Sequence, residues 1–424
     1  MTRDGIALGP IVPLEETAMD QTKKPKGVTR RGFIRTMGIG GMAATALNIP
    51  GSAGAQAPTA GQAAAMPKRK LGKTGAEVSI LCLGGMFDTI NNQLLLRQAL
   101  NWGVTYWDSA EAYGNGLGEE GFGRFFTRYP QTRKNIFLVT KFRPSPPDKL
   151  SEALDKGLKR LCTDYVDAFF THGIGDFNQI AGVRDWAEQM KKAGKIKFFG
   201  FSTHANMEDC LLAAAKSGWI DTVMFSYNFR LMNSQKMKEA IDASVQAGIG
   251  LTSFKAQAGG QVKPDSEAEF KLLQKFLDKG FTDKQAKLKA VWENPNIASI
   301  CSQMPNLAYL SANVAAARDL TALSKSDFEA LERFAYETRS GYCAGCGRIC
   351  QAAVGGKIPV NDVMRCLMYY RDYGDRELAR DVFAGLPEAA RSHLTKVDYS
   401  KAERACPQGL AIAELMAEAS QLLA

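Results

Sequence analysis

The sequence predicts an α/β fold, a (β/α)8 TIM barrel followed by a small, mainly helical domain. Three observations predict it. Short apolar runs alternate eight times with amphipathic helical stretches, the number and the span of about 250 residues that such a barrel needs. Glycines close helices just ahead of strands at Gly103, Gly194 and Gly248, where a left-handed residue is wanted. Beyond the last β/α pair the pattern changes, and cysteines crowd the C-terminal fifth.

Length and composition leave room for this layout. The chain has 424 residues, 45% of them hydrophobic, enough for one large core and an appendage. Its 53 basic residues exceed 44 acidic ones, giving +9, but several of the extra positive charges fall before residue 75. No basic run interleaved with aromatics occurs in the body of the chain, so nucleic-acid binding is not expected. The three histidines, His172, His204 and His393, lack the i, i+4 spacing of a histidine-built zinc site.

The N-terminus reads as an address. Thr29 to Arg35 is TRRGFIR, followed by the weakly apolar Thr36 to Ile49, then Ala55 and Ala57 as an A-x-A cleavage site. This order resembles a twin-arginine export signal over residues 1–57, with a long polar lead. It implies the Tat translocase as a partner and a periplasmic or otherwise extracytoplasmic destination. The apolar stretch is shorter than the roughly 20 residues that span a bilayer, so no stable membrane span is expected.

After a linker over residues 58–67, a barrel is expected over 68–320. Its strands are read at Val78–Leu83, Thr105–Asp108, Ile136–Lys141, Tyr165–Thr171, Ile196–Phe201, Thr222–Phe225, Ile249–Phe254 and Ile297–Cys301, with helices between them such as Asn92–Trp102 and Ser234–Gln246. A doubly wound nucleotide-binding sheet would need G-x-G-x-x-G after its first strand, where Leu83-Gly84-Gly85-Met86 stands. Barrel chemistry gathers at the C-terminal strand ends. There the sequence puts Asp108, Lys141 and His172 at three consecutive ends, with Tyr113 in the loop after Asp108.

These residues, the segment LGKTGAEVSILCLGG (Leu71 to Gly85) and KAGKIKFFGFSTH (Lys192 to His204) together resemble the aldo-keto reductases over roughly Lys68 to Ala317. The resemblance implies reduction of a small carbonyl compound, or oxidation of an alcohol, by hydride from a nicotinamide. Tyr113 would be the proton donor. Lys141 would lower its pKa, Asp108 would hold Lys141, and His172 would hydrogen-bond the substrate carbonyl. The resemblance also assigns Asp108, Ser202, Thr203, Phe254, Lys255 and Asn313 to the cofactor side.

Several of those positions depart from the family. Ser202-Thr203 stands for a Ser-Asn pair, and Met224 for a Gln that grips the carboxamide. Phe254 would stack on the ring, with Lys255 reaching toward pyrophosphate. The loop Cys301 to Asn313 has no Lys or Arg for a 2′-phosphate, which leaves both NADP and NAD open.

Residues 342–350 read YCAGCGRIC, and Cys406-Pro407 follows much later. C-x2-C-x3-C with a remote C-P resembles the iron–sulfur extension of some aldo-keto reductases, which makes residues 321–424 an iron–sulfur domain. Cys343, Cys346, Cys350 and Cys406 would hold a [4Fe–4S] cluster, with Cys366 the competing fourth ligand. Zinc and disulfides fit the same count. Two functions follow: an exported oxidoreductase whose cluster exchanges electrons with a partner, or a barrel that has become a scaffold for an electron-transfer or docking module.

Overall fold

The computed structural model describes residues 65–258 and 267–424. The export-signal reading and all but the end of the linker lie outside them. Two short strands, β1 (Lys68–Lys70) and β2 (Glu77–Ser79), pair as an antiparallel hairpin. Eight parallel strands then close a barrel: β3 (Leu81–Gly84), β4 (Tyr106–Asp108), β5 (Phe137–Phe142), β6 (Val166–Thr171), β7 (Ile196–Thr203), β8 (Thr222–Ser226), β9 (Gly250–Phe254) and β10 (Ile297–Gln303). The eight β/α pairs read from the sequence are present. Gly103, Gly194 and Gly248 have φ of +86°, +72° and +74°.

The first expected strand is the exception, because Val78–Leu83 is not one strand. Ser79 ends the hairpin, and its hydroxyl donates to Leu81 O at 2.7 Å while accepting from the backbone N–H groups of Thr105 and Tyr106. A side chain that takes over these backbone bonds breaks the run at Ile80. The hairpin places Leu71 and Val78 in one apolar cluster with Tyr106, Val139, Phe170 and Met224, where they plug the barrel's N-terminal end. Arg69 fastens it by donating to Trp292 O and Ile297 O at 2.6 and 2.8 Å.

Helices surround the strands: α1 (Gln93–Asn101), α2 (Leu117–Arg128), α3 (Pro147–Arg160), α4 (Arg184–Lys192), α5 (Met207–Ser217), α6 (Gln235–Gln246), α7 (Glu267–Leu277), α8 (Asp283–Trp292) and α9 (Leu307–Arg318). Their apolar faces meet the outward strand residues in the larger core. There Trp107 is fully buried against Phe122 and Phe125, with ring centroids 5.1 and 5.0 Å away. Truncating an aromatic of this kind costs on the order of 3–5 kcal/mol.

The C-terminal segment does not stand apart from the barrel; Gln62–Ala424 is one compact unit. Helix α10 (Lys325–Glu337) gives Leu331 and Phe334 to the barrel's core. Arg230 ties it down by donating to Ala335 O at 3.1 Å and Thr338 Oγ1 at 2.8 Å. The rest comprises α11 (Gly347–Ala353), α12 (Val360–Arg371), α13 (Arg376–Ala384), α14 (Glu388–Arg391), α15 (Ser400–Ala405) and α16 (Ile412–Leu422). They bury a second core around Val363, Leu367, Phe383 and Met416. This bundle lies over the mouth of the barrel, which makes it part of the site described next.

Candidate active site

A cavity of about 300 Å³ opens at the C-terminal strand ends, and Asp108, Tyr113, Lys141 and His172 all line it. Strand β4 delivers Asp108 at its last residue, β5 delivers Lys141, and His172 follows β6 directly. Tyr113 comes from the loop after β4, whose turn is shaped by left-handed Gly114, Asn115 and Gly116.

The ammonium of Lys141 has three donors and uses all of them inside the protein. Nζ lies 2.6 Å from Asp108 Oδ2, 2.9 Å from Ser109 O and 3.2 Å from Tyr113 Oη. Tyr113 is thus an acceptor toward Lys141, and its own proton remains for another acceptor. The rings of Tyr113 and His172 meet edge to face with centroids 5.8 Å apart. Both members of the Asp108–Lys141 pair are 1% exposed, so their attraction is little screened.

The electrostatics differ from the expectation in one respect. Lys141 was to pull the Tyr113 phenol down, but burial, then the carboxylate of Asp108, push it well above its ordinary value. In a dry site beside an anion, phenolate is disfavoured more than one ammonium can offset. The phenol therefore stays protonated, as a donor must, and is a weaker acid than a free tyrosine. Burial, Lys141 and Arg365 hold His172 well below its usual range, so its imidazole is neutral and donates a hydrogen bond without carrying charge. Burial pushes the Asp108 carboxyl up, and Lys141 opposes this.

One pH consequence follows. At saturating cofactor and substrate, neither His172 nor Tyr113 should put a limb in the kcat profile for reduction between about pH 6 and 9, because His172 titrates below that window and Tyr113 above it. An acidic limb near about 6.5 that persists in Lys255→Met, which removes the cavity's other group titrating near about 7, would contradict the neutral-histidine assignment.

The cofactor-side residues separate into those that face the cavity and those that do not. Ser202, Met224, Phe254 and Lys255 line it. Ser202 Oγ, however, accepts from Gly173 N at 2.9 Å. Thr203 is fully buried, and its Oγ1 donates to Ala205 O at 2.7 Å. The pairing of Thr203 with its own loop removes it from the cavity wall. Phe254 has the ring of His204 at 4.4 Å.

A second cleft, of about 450 Å³, adjoins the first and shares Lys255, Cys301, Gln303 and Tyr373 with it. Asn313 lines this cleft and donates to Ser302 Oγ at 3.0 Å. The loop after β10 has no cation, but Lys284 and Lys287 of α8 and Arg230 reach the same cleft. Lys284 and Lys287 come from the helix just before β10, and not from the loop after it where the sequence reading sought basic residues.

The largest omission of the sequence reading is the C-terminal cap. Arg365 and Tyr369 of α12, then Tyr373, Leu378 and Val382, complete the cavity wall. Lys255 donates to Tyr373 Oη at 2.7 Å and lies over the rings of Tyr369 and Tyr373. Burial and then the Arg365 guanidinium pull the Lys255 ammonium down to about 7. The spacing of Arg365, Tyr369 and Tyr373 at intervals of four was the available signal.

Cys343, Cys346, Cys350 and Cys406 line one small pocket together with Ile349, Pro407 and Leu410. Cys366 is fully buried in the second core and does not line that pocket. Burial pushes the thiols of Cys343 and Cys346 up to about 12 and about 11, so thiolates there need the charge of a bound metal. Among the described residues no three cysteine, histidine or acidic side chains converge closely enough for a single metal ion. The cysteine loop sits on the active-site loop: Asn206 N donates to Gly345 O at 2.8 Å, and Arg348 N to Asn206 Oδ1 at 2.9 Å. A Cβ on Gly345, at φ +80°, would lie 2.3 Å from His204 O, so glycine is what permits this approach.

Comparison with known proteins bears on this arrangement. The sequence model of the Aldo/keto reductase family matches residues 84–335. The chain is 34% identical over 155 residues to the aldo-keto reductase yakc of Schizosaccharomyces pombe, whose name includes NADP(+). That match takes in 32% of this chain and 45% of the relative, so it spans less than half of the relative's length. L-galactose dehydrogenase of Arabidopsis thaliana is 25% identical over 285 residues, 60% of this chain and 89% of its own. Among solved structures, an aldo-keto reductase from Bacillus halodurans in its holo form aligns with TM-score 0.54 at 23% identity, covering 63% of this chain and 96% of that one. One from Klebsiella pneumoniae in complex with NADPH aligns with TM-score 0.53 at 22% identity, covering 63% and 95%. At such identities the likeness is one of fold.

Proposed function

The chain belongs to the aldo/keto reductase family, and from that premise we propose that it interconverts a carbonyl compound and its alcohol, with Tyr113 giving or taking the proton. The observation that carries this reading is the saturated ammonium of Lys141, which fixes Tyr113 Oη while leaving its proton free.

The nicotinamide dinucleotide, when bound, supplies or accepts hydride at the substrate carbon. The chain's residues do the rest. Tyr113 Oη hands its proton to the carbonyl oxygen as charge develops there, and Lys141 offsets the negative charge left on the phenolate. Asp108 keeps Lys141 aimed at Tyr113. Neutral His172 donates to the same oxygen and orients it. The cap formed by Tyr369, Tyr373 and Leu378 excludes water, which strengthens each of these interactions.

NADP(H) is the dinucleotide we propose. The two adjoining clefts fit an extended molecule, with Phe254 for the ring, Lys255 near pyrophosphate, and Lys284 and Lys287 as partners for a 2′-phosphate. NADPH should bind at least about tenfold more tightly than NADH, and Lys284→Ala should remove most of that difference. Titration of the full-length protein with each cofactor tests it. Equal affinities would leave NAD, and binding of neither would favour the scaffold reading, to which Met224 and the inward-turned Thr203 lend support.

The four clustered cysteines support a [4Fe–4S] cluster. Four cysteines lining one pocket match the ligand count of a cube, in which each thiolate binds its own iron, and zinc with Zn–S of about 2.3 Å is the alternative that the same count allows. Electron transfer to or from a partner is the chemistry such a group supplies. Iron and acid-labile sulfide, measured after anaerobic purification, should be about four each per chain. Cys406→Ser should lose the cluster and Cys366→Ser should keep it; the reverse result would exchange their roles. Export by the twin-arginine route to an extracytoplasmic space completes the proposal, since that route carries proteins already folded around their cofactors. A fractionation that found the mature chain only in the cytoplasm would refute it. Among the described residues no helix is long and apolar enough to cross a membrane.

A further inference from the structure

We infer that the substrate carries an oxyanion, a carboxylate or phosphate, and that Arg365 of the C-terminal cap binds it with help from His204. This rests on the carbonyl-reducing reading of the same cavity and names the class of compound it takes.

The cavity is unusually cationic for a place where an uncharged carbonyl would bind. Its lining holds three basic side chains, Lys141, Lys255 and Arg365, and one carboxylate, Asp108. Asp108 is committed to Lys141 at 2.6 Å. Lys255 stands on the wall shared with the second cleft, where the phosphates of a dinucleotide would pass. Arg365 and His204 line the cavity and do not line that cleft; both also border a small pocket beneath α12 with Tyr342, Cys343 and Asp372.

The guanidinium of Arg365 is only lightly engaged. Its Nη2 meets Asp362 Oδ1 at 3.3 Å, one turn earlier on the same helix, and that carboxylate is 30% exposed. Burial first, and then the charges of cations that include Arg365, hold both His172 and His204 below their usual range. A half-buried neutral imidazole on the same wall as a guanidinium supplies one more donor to an anion. The planar fork of arginine matches carboxylate and phosphate with two parallel hydrogen bonds, and desolvation in a capped cavity strengthens them. The second clue is where Arg365 comes from. It is delivered by the helix that closes the mouth rather than by the barrel, so the cap carries recognition as well as shelter.

The test compares homologues that differ only in the anion, using the full-length protein loaded with NADPH. Succinic semialdehyde is measured against butanal, and glyceraldehyde 3-phosphate against glyceraldehyde. The anionic member of at least one pair should be preferred in kcat/KM by about 100-fold, the size expected of charge-assisted hydrogen bonds in a desolvated site, and the better pair tells carboxylate from phosphate. Arg365→Met should cut that preference to about tenfold or less through a higher KM for the charged aldehyde, while Arg365→Lys restores part of it. No preference in either pair, or a preference that survives Arg365→Met, would overturn the inference. Calorimetric binding of succinate and of inorganic phosphate keeps the test independent of turnover. If neither aldehyde of either pair is reduced but an anion binds in an Arg365-dependent way, the reductase reading fails and the anion site stands. If neither anion binds and both uncharged aldehydes are turned over, the reverse holds. Loss of NADPH affinity in Arg365→Met with anion binding intact would assign the arginine to the cofactor and overturn the inference.

Discussion

Tyr113→Phe is expected to lower kcat for carbonyl reduction by about 10²–10⁴-fold, the range that a positioned proton donor contributes, while NADPH binding changes by less than about threefold. The substitution removes one oxygen. Lys141 keeps Asp108 Oδ2 and Ser109 O as partners, and the ring keeps its edge contact with His172, so the site should hold its shape. Steady-state kinetics beside a fluorescence titration of the cofactor separates the two effects. Retention of full kcat would mean that water or another group delivers the proton.

The second large effect is on stability. Asp108→Ala should destabilise the protein by about 3–5 kcal/mol, because it leaves the Lys141 ammonium buried without its counter-charge. Asp108→Asn keeps an acceptor at nearly the same position and should cost less. Chemical denaturation curves for the two variants give the order directly. Equal losses would mean that the charge both variants lack, and not the acceptor that asparagine keeps, is what the fold needs. Both variants should also reduce slowly, since a less firmly held Lys141 no longer offsets the charge left on Tyr113.

The barrel was legible because each of its strands is a short apolar run bounded by a helix of opposite period, and register then follows from closure. That Asp108, Tyr113, Lys141 and His172 would meet at the barrel mouth was legible for a related reason. Asp108, Lys141 and His172 are polar residues at the ends of apolar strands, a contrast that local pattern exposes. The split at Ser79 was not, because a hydroxyl that replaces backbone bonds leaves an apolar run looking continuous. Thr203 fails similarly: sequence position gave its strand end, and only the Oγ1 bond to Ala205 decides that it turns inward. The cap lay further out of reach. Arg365, Tyr369 and Tyr373 are about 190 or more residues beyond His172 in the chain, and nothing local says that their helix closes over the barrel rather than extending from it. Lys284 and Lys287 belong to the same class, since they reach the second cleft from a helix that the loop after β10 does not contain.

The account as a whole depends on hydride arriving in the cavity beside Tyr113. Full-length protein mixed with NADPH deuterated at C4 and an aldehyde of the kind described above should yield an alcohol with deuterium on its carbinol carbon, and Tyr113→Phe should yield little of it in the same time. An alcohol formed without deuterium, or no alcohol from any of the aldehydes while NADPH remains unbound, would contradict the account.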